Sequence, residues 1–568
     1  MLSEKTIDRF ESLMKSNQRF VQKNELLILA ALVFFIYFFL AILKPEGIFW
    51  SLDEGGKWIY MENVLRTGSP RAPLIYPGRS LDSDLESVAL FFYGRIGQKI
   101  FTWWPVGFPL LTLPFYRLLG WAGLFFLPAF AGAVSVFFSG KITENFIPQS
   151  KFYDKAVALV VALATPLAFY SMTFWEHTLA TACVLITLYC LMQADKSPNR
   201  TTLFIAGAVG SLAVFFRTET GLIILGFGIA LLIIDWKRAI SFAISGLVLS
   251  SMWIFANYWI TGYPFGSNVA GTQVNSTFSA IKAVGNKFVP YILFNAPTIG
   301  AFDLGTKLLI IGTFLAGVSV ILGLFRKTRW ISALFSIGVI AICGYALLQP
   351  SLYRSVHGFL LICPMVLLSP WIFGTDSWQQ NKKFWFISVL GLIFFVVGYI
   401  LRAWVSAGGL QWGPRYMLAL YPILMITAFI GVEELINRVV AWKKYIVLSV
   451  TTLAILVGLG FEVRGYITMY LTMELYDRSA TTLRAMKDEV IKTDCIWMPM
   501  VIPDLYWDGN IFTNTYSEKW ESNVKKRGAD SYLFVTMYAC DTDPIDKELD
   551  QYARVKDGLD IKEVFFNP

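Results

Sequence analysis

Two adjacent carboxylates, Asp53 and Glu54, follow the first apolar run of the chain in the stretch Ser51-Leu-Asp53-Glu54-Gly-Gly-Lys57-Trp58-Ile-Tyr60-Met-Glu62. An ionised carboxylate held near a reacting bond can take the proton from an acceptor hydroxyl, so the pair is a candidate general base. The spacing also fits a helix start. Ser51 followed three residues later by Glu54 forms a capping box, which would make one of the two acids structural. Further along, Glu176-His177, Arg217 with Glu219, Arg354 with His357, Arg402, and Arg415-Tyr416 stand at the ends of apolar runs, and both histidines of the chain are among them. Charged groups at membrane edges are costly to hold there and usually have a task.

The elements that must position these residues are membrane spans. Of 568 residues, 56% are apolar, 16% aromatic and only 15% charged, against about 25% charged in soluble domains. Disorder, fibrous repeats and an ordinary soluble enzyme are excluded. So is a single-pass anchor, because the apolar residues suffice for about 13 spans of ~18–20 residues. The net charge of +8 does not point to nucleic acid; the basic residues cluster between apolar runs, where they set orientation.

Apolar side chains at Ile7, Phe10, Leu13, Met14, Phe20 and Val21 give residues 1–25 the spacing of a helix lying on the membrane surface. No small-residue cleavage site follows the run 25–43, which reads as a retained first span. Further runs lie at 122–139, 156–174, 178–193, 202–216, 221–234, 240–259, 306–324, 331–348, 358–373, 384–401, 416–431 and 445–461. With the N-terminus in the cytoplasm, the connections holding Lys141, Lys151, Lys155, Lys196, Arg200, Lys237, Arg238, Arg326, Lys327, Arg329, Lys382, Lys383, Arg438, Lys443 and Lys444 all face inward, as the positive-inside bias requires. The first loop (44–121), Glu176-His177, Arg217, Arg354, the stretch 402–415 and everything after 461 then face outward. A site on the outer face is expected.

Within the first outer loop, Trp103-Trp-Pro105-Val-Gly107-Phe-Pro109-Leu-Leu-Thr-Leu-Pro114-Phe-Tyr116 has three prolines in ten positions. That density favours a broken interfacial helix with aromatic anchors over a kinked span. The polar tail, 462–568, reads as a small α/β domain with helices over 481–492 and 544–552, buried strands over 495–501 and 532–537, and an edge strand over 561–566. Cys183, Cys190, Cys343 and Cys363 fall in spans, whereas Cys495 and Cys540 fall in the tail. There a disulfide would suit an oxidising compartment, two buried thiols being the alternative.

The acidic pair leading a helix that ends at Gly68, the Trp-Pro-x-Gly-x-Pro run, Tyr170-Ser-Met-Thr-Phe174-Trp-Glu176-His177, Asn257-Tyr-Trp-Ile-Thr-Gly262-Tyr-Pro264, and Trp412-Gly413-Pro414-Arg415-Tyr416 together resemble the GT-C superfamily of polyprenyl-phosphate-sugar-dependent membrane glycosyltransferases. The bacterial aminoarabinose transferases and protein O-mannosyltransferase-like enzymes are the groups most resembled. The likeness spans roughly residues 26–430, its specific part being the order of the motifs on one membrane side, and the tail carries none of it.

The resemblance implies an all-α polytopic fold of GT-C type over 1–461, N-terminus in and C-terminus out, with the extracytoplasmic α/β domain over 462–568. It implies transfer of a hexosyl or pentosyl unit from a polyprenyl-phosphate donor to a glycan, lipid or protein acceptor at the outer face of a bacterial plasma membrane. Asp53 would be the base, with Glu54 orienting it or the acceptor. Arg415 with Tyr416 would meet the donor phosphate, Glu176 and His177 would support phosphate or sugar, and Arg354 and Arg402 are further phosphate candidates. A planar guanidinium suits two phosphate oxygens, and displacement at the anomeric carbon calls for a base on one side and a fixed cation on the other. No cofactor is called for; a divalent metal is left open, because two histidines form no diagnostic ligand spacing. No Gly-rich nucleotide loop precedes residue 460. The competing class is a transporter or flippase of a lipid-linked or hydrophobic solute, but the two related halves common in transporters are not visible.

Overall fold

The computed structural model describes residues 24–565 apart from 86, 88–92, 97–98, 103, 148–151, 198, 265–288, 296–305, 350–354, 402–409, 487–488, 514–517, 527, 529–530, 538–552 and 556–558. The helices expected within 1–23 and over 544–552 lie outside these residues. Among the described residues nine helices are long and apolar enough to cross a membrane: Asn24–Ile42, Gly107–Glu144, His177–Lys196, Trp236–Thr261, Lys307–Leu324, Arg329–Leu348, Lys382–Tyr399, Leu420–Arg438 and Ala441–Ala485. Arg200–Phe216 and Thr220–Ile234 are apolar but shorter. Large side chains such as Leu247, Phe314 and Leu348 are more than half exposed on these helices, an arrangement that lipid satisfies and water does not. The chain is an integral membrane protein.

Two of the thirteen runs read as spans are not continuous helices. The run 156–174 forms Tyr153–Leu163 and the short Leu167–Ser171, parted at Pro166. The run 358–373 forms one α-turn, Phe359–Ile362, and a 3-10 stretch, Pro364–Ile372, with a second proline at 370. Proline removes a backbone donor and clashes with the preceding turn, and both segments are largely buried in protein. Hydropathy cannot tell such a segment from a span, since both are apolar throughout. The proline-rich run 103–116, expected to be a broken helix, holds the helix Gly107–Leu119, continuous through Pro109 and Pro114; the interruption within the stretch Gly107–Glu144 comes later, at the 3-10 turn Gly120–Ala122 before Gly123–Glu144.

Contact clustering divides the chain into two compact units, neither contiguous in sequence. The first is Met1–Leu40, Leu127–Ser250 and Thr277–Gly465; the second is Ala41–Phe126, Ser251–Ser276 and Tyr466–Pro568. The first unit is built of helices packed by small residues. A Cβ on Gly226 would come within 2.6 Å of the Gly391 Cα, so Thr220–Ile234 and the Lys382–Leu401 helix cross backbone to backbone, as small-residue interfaces in membranes allow.

The second unit holds both sheets. Strands β1 (Tyr93–Ile96) and β2 (Lys99–Thr102) form an antiparallel pair. The other five are β3 (Ile491–Thr493), β4 (Ile511–Thr513), β5 (Ser531–Met537), β6 (Ala553–Val555) and β7 (Leu559–Phe565), in the order β4-β3-β5-β7-β6. β4, β3 and β5 run parallel, while β7 is antiparallel to both β5 and β6. The strand expected at the edge over 561–566 is therefore interior.

The helix expected over 481–492 is the end of the 45-residue helix Ala441–Ala485, followed by β3. The strand expected over 495–501 is replaced by a helical turn, Met498–Val501; Pro499 fits a first helical turn and has no N–H for a ladder. Tail and first outer loop share cores. Ile59, Tyr60 and Val64 pack with Leu74, Leu85, Ile100, Trp104, Met500 and Tyr506, and Leu81 packs with Phe512, Trp520 and Val524. Thr513 N and Oγ1 donate to Ser87 Oγ and O at 2.7 and 2.6 Å. Cys495 is disulfide-bonded and Cys183, Cys190, Cys343 and Cys363 are free, which leaves Cys540, outside the described residues, as the sixth cysteine.

Candidate active site

In the first unit Arg415 begins a 3-10 turn, Arg415–Met417, just before the helix Leu420–Arg438. The segment leading into it is tied at several points. Tyr170, fully buried, donates its hydroxyl to Gly413 O at 3.0 Å and accepts from Trp412 N at 3.2 Å. Trp412 Nε1 donates to Phe461 O of the long helix at 3.1 Å. Gly413 has φ of +71°, and a Cβ there would meet Pro166 at 2.6 Å, so only glycine fits the bend.

The Arg415 guanidinium lies 4.9 Å from the Trp175 ring centroid and 5.2 Å from that of Tyr416. Tyr416 also faces Arg217, at 5.1 Å. Cation–π contacts of this kind contribute about 0.5–2 kcal/mol each, more when water is excluded. Arg217 is held by two carboxylates: Nη1 donates to Glu176 Oε1 and Nε to Glu219 Oε1, both at 2.8 Å. Glu176 is buried. The His177 ring lies within 5.5 Å of Tyr170 and Trp175 and 6.2 Å from Tyr416. Glu176, His177, Arg415 and Tyr416 are thus gathered in one place, and Arg217 serves Glu176 as well as its near neighbour Glu219.

His357 joins the same group. Its Nε2 lies 2.7 Å from Ser355 Oγ and its Nδ1 2.9 Å from Gln411 Nε2, while Gln411 Oε1 accepts from Arg415 N at 3.4 Å. Burial, helped by the nearby Arg415 charge, pushes the imidazole pKa down to about 4; both causes disfavour a second proton.

The second unit holds the acidic pair. Asp53 and Glu54 open the helix Leu52–Thr67, whose capping box is formed: Ser51 N and Oγ reach Glu54 Oε2 at 3.1 and 3.2 Å. Glu54 is buried, whereas Asp53 is only partly covered and accepts from Trp104 Nε1 at 3.0 Å. The two neighbours therefore differ: one caps, the other lies nearer the surface on a rigid first turn. Lys44, also buried, stands 4.0 Å from the Phe125 ring; burial pushes its pKa down to about 8 while Glu54 pulls it up.

Arg354 and Arg402 lie outside the described residues. Among the described residues no group of three or more His, Cys, Asp or Glu side chains is gathered as a metal would need. Several participants escape a sequence reading. Tyr170, Trp175 and Trp412 stand in quoted motifs but look like ordinary aromatics, and Gln411 and Ser355 carry no signal. Lys57, one helical turn after Asp53, is 2% exposed, with its Nζ 5.6 Å from the Phe108 ring centroid; a lysine so buried is unusual, yet in sequence it is one of many.

No family model matches the chain, and no curated protein matches it. Among solved structures the chain is similar to ArnT from Cupriavidus metallidurans bound to undecaprenyl phosphate, at 12% identity over 90% of this chain and 93% of that one, with a TM-score of 0.39. It is also similar to ArnT from the same organism in the apo state, at 11% identity over 84% of this chain and 90% of that one, with a TM-score of 0.34. Likeness at this level places no residue and fixes no reaction.

Proposed function

We propose that the chain is an integral-membrane glycosyltransferase that moves a sugar from a polyprenyl-phosphate donor to a hydroxyl acceptor, a glycan, lipid or protein, outside the cytoplasm. The observation that carries this reading is the Arg415 turn, in which a buried guanidinium is flanked by two aromatic rings, the main chain over 412–415 is tied by Tyr170 and Gln411, and the Trp412 indole is tied to Phe461 O. A cation fixed in advance costs no reorganisation when negative charge develops beside it. Two further observations support the reading: Asp53, partly exposed on the first turn of a well-capped helix, and the disulfide at Cys495, which suits an oxidising compartment.

In the reaction Asp53 takes the proton of the acceptor hydroxyl, and that oxygen attacks the anomeric carbon. The bond from this carbon to the phosphate oxygen breaks, and the lipid phosphate leaves with the electron pair, its charge met by Arg415. With Asp53 as base and the acceptor oxygen as the nucleophile, the configuration inverts. Glu176 and Arg217 hold the aromatic surround of Arg415 in place; Tyr416 and His177 complete it.

The test compares, by mass spectrometry, surface glycans and lipids of cells carrying the wild-type chain, no chain, or Asp53→Asn. The expected result is a glycosylated product present only with wild type, while Asp53→Asn is expressed and inserted normally. A lipid-linked sugar that changes membrane side without any new glycosidic product would instead establish a transporter or flippase.

A further inference from the structure

The distances around His357 are those of a serine nucleophile arrangement: Ser355 Oγ at 2.7 Å from Nε2, and an amide at 2.9 Å from Nδ1. Counting protons decides against it. A carboxamide nitrogen only donates, so Nδ1 must accept and the ring proton sits on Nε2, which gives it to Ser355. A base for Ser355 would need Nε2 bare.

The Gln411 amide is not free to turn over, because its Oε1 takes the Arg415 N–H. The main chains on both sides are fixed as well: Val356 N donates to Gln411 O at 2.9 Å, and His357 N and Gly358 N donate to Asn295 O at 2.9 and 2.8 Å. Donation therefore runs one way, from Arg415 N–H to Gln411 Oε1, from Gln411 Nε2 to His357 Nδ1, and from His357 Nε2 to Ser355 Oγ. A proton placed on Nδ1 would set two donors face to face. The only relief is rotation of the amide, which points its NH2 at the Arg415 N–H.

We propose that His357, neutral and protonated on Nε2, is a positioning residue for Arg415: it orients Gln411, whose side-chain oxygen holds the Arg415 main chain. The proposal rests on the reading of Arg415 as the donor-phosphate ligand and adds to it a residue that touches no substrate. Ser355 serves only as the final acceptor.

The chain has two histidines, so the full-length protein labelled with 15N-histidine in detergent gives two imidazole spin systems, and His357→Asn removes one and identifies it. The expected pattern at pH 7 is a neutral ring protonated on Nε2; protonation on Nδ1 overturns the relay. The second measurement is the affinity for decyl phosphate, by calorimetry, of wild type, Arg415→Ala, His357→Asn and His357→Leu. Asparagine Oδ1 can accept from Gln411 in place of Nδ1, and leucine cannot. Loss of one such hydrogen bond corresponds to about 5- to 10-fold weaker binding for His357→Leu, with His357→Asn within about twofold of wild type. Equal loss in both His357 variants, or none in His357→Leu while Arg415→Ala binds weakly, overturns the positioning role. Arg415→Ala binding like wild type overturns instead the phosphate-ligand reading, and the ring protonation pattern then decides the relay alone.

Discussion

Tyr170→Phe isolates how the Arg415 turn is held. The substitution keeps the ring that stacks on Trp175 at 5.3 Å and removes one oxygen. That oxygen gives a hydrogen bond to Gly413 O and takes one from Trp412 N in a fully buried setting. Each partner left unsatisfied in such a place costs about 1–3 kcal/mol, so the pair is worth about 2–6 kcal/mol. The penalty falls on a short segment rather than on the helices around it, and local opening is where it shows. At about 1.36 kcal/mol per decade, the opening equilibrium of residues 411–417 rises by roughly 30-fold at the lower bound and by roughly four orders of magnitude at the upper. Hydrogen exchange followed by mass spectrometry reads this directly, and Trp412 N–H is itself one of the reporting amides. Peptides from the Lys382–Leu401 helix serve as the internal control. If 411–417 keep wild-type protection in Tyr170→Phe, the hydroxyl does not hold the turn, and the argument for a preset Arg415 loses its main support.

Arg217→Met takes the guanidinium away from Glu176 and Glu219, whose side chains are 2% and 8% exposed; breaking a buried pair in this way costs about 3–5 kcal/mol, seen as a lower melting temperature in detergent, with Arg217→Lys recovering part of it. Glu54→Ala loses the capping box and leaves the buried Lys44 without that charge nearby, a destabilisation of about 2–4 kcal/mol measurable by thermal unfolding, and Glu54→Gln should fall between it and wild type. His357, held at about 4 in the fold against 6.5 ordinarily, makes the unfolded chain bind more protons between these values. Its contribution is complete above pH 6.5 and is lost on acidification toward pH 4, about 3 kcal/mol in all. His357→Asn should flatten that limb of the stability–pH curve, and an unchanged limb would place the titrating group elsewhere.

The membrane character, most helix positions and the capping box at Ser51 were legible because each depends on local pattern: long apolar runs, clustered lysines and arginines, and a Ser-x-x-Glu spacing. The same locality explains the failures. Residues 358–373 are as apolar as any span, and only their packing and two prolines show that they do not form one. The helix Ala441–Ala485 continues beyond its apolar part because nothing at 461–462 stops it; Glu462 and Arg464 are good helix formers. Within the site, Glu176, His177 and Arg415 stood out by being charged where charge is costly. Tyr170 and Gln411 did not, because what distinguishes them is a partner more than 200 residues away or a proton position, and neither has a sequence signal.

The guanidiniums of Arg217 and Arg415 are handled differently, and the difference bears on what each can do. Arg217 meets two carboxylates at 2.8 Å, which take its in-plane N–H groups and cancel its field. Arg415 is flanked by the rings of Trp175 and Tyr416, and its Nη2 donates to the Tyr416 hydroxyl at 3.4 Å. A ring stacked on a guanidinium engages its flat face, whereas hydrogen bonds to phosphate oxygens form at its edge. Stacking offsets part of the cost of burying a guanidinium without neutralising it, while a carboxylate does both. Trp175→Leu should therefore weaken phosphate binding through a less stable Arg415, and Trp175→Glu should weaken it further by cancelling the charge. If the glutamate variant bound decyl phosphate as well as the leucine variant, the Arg415 charge would not be what attracts the anion.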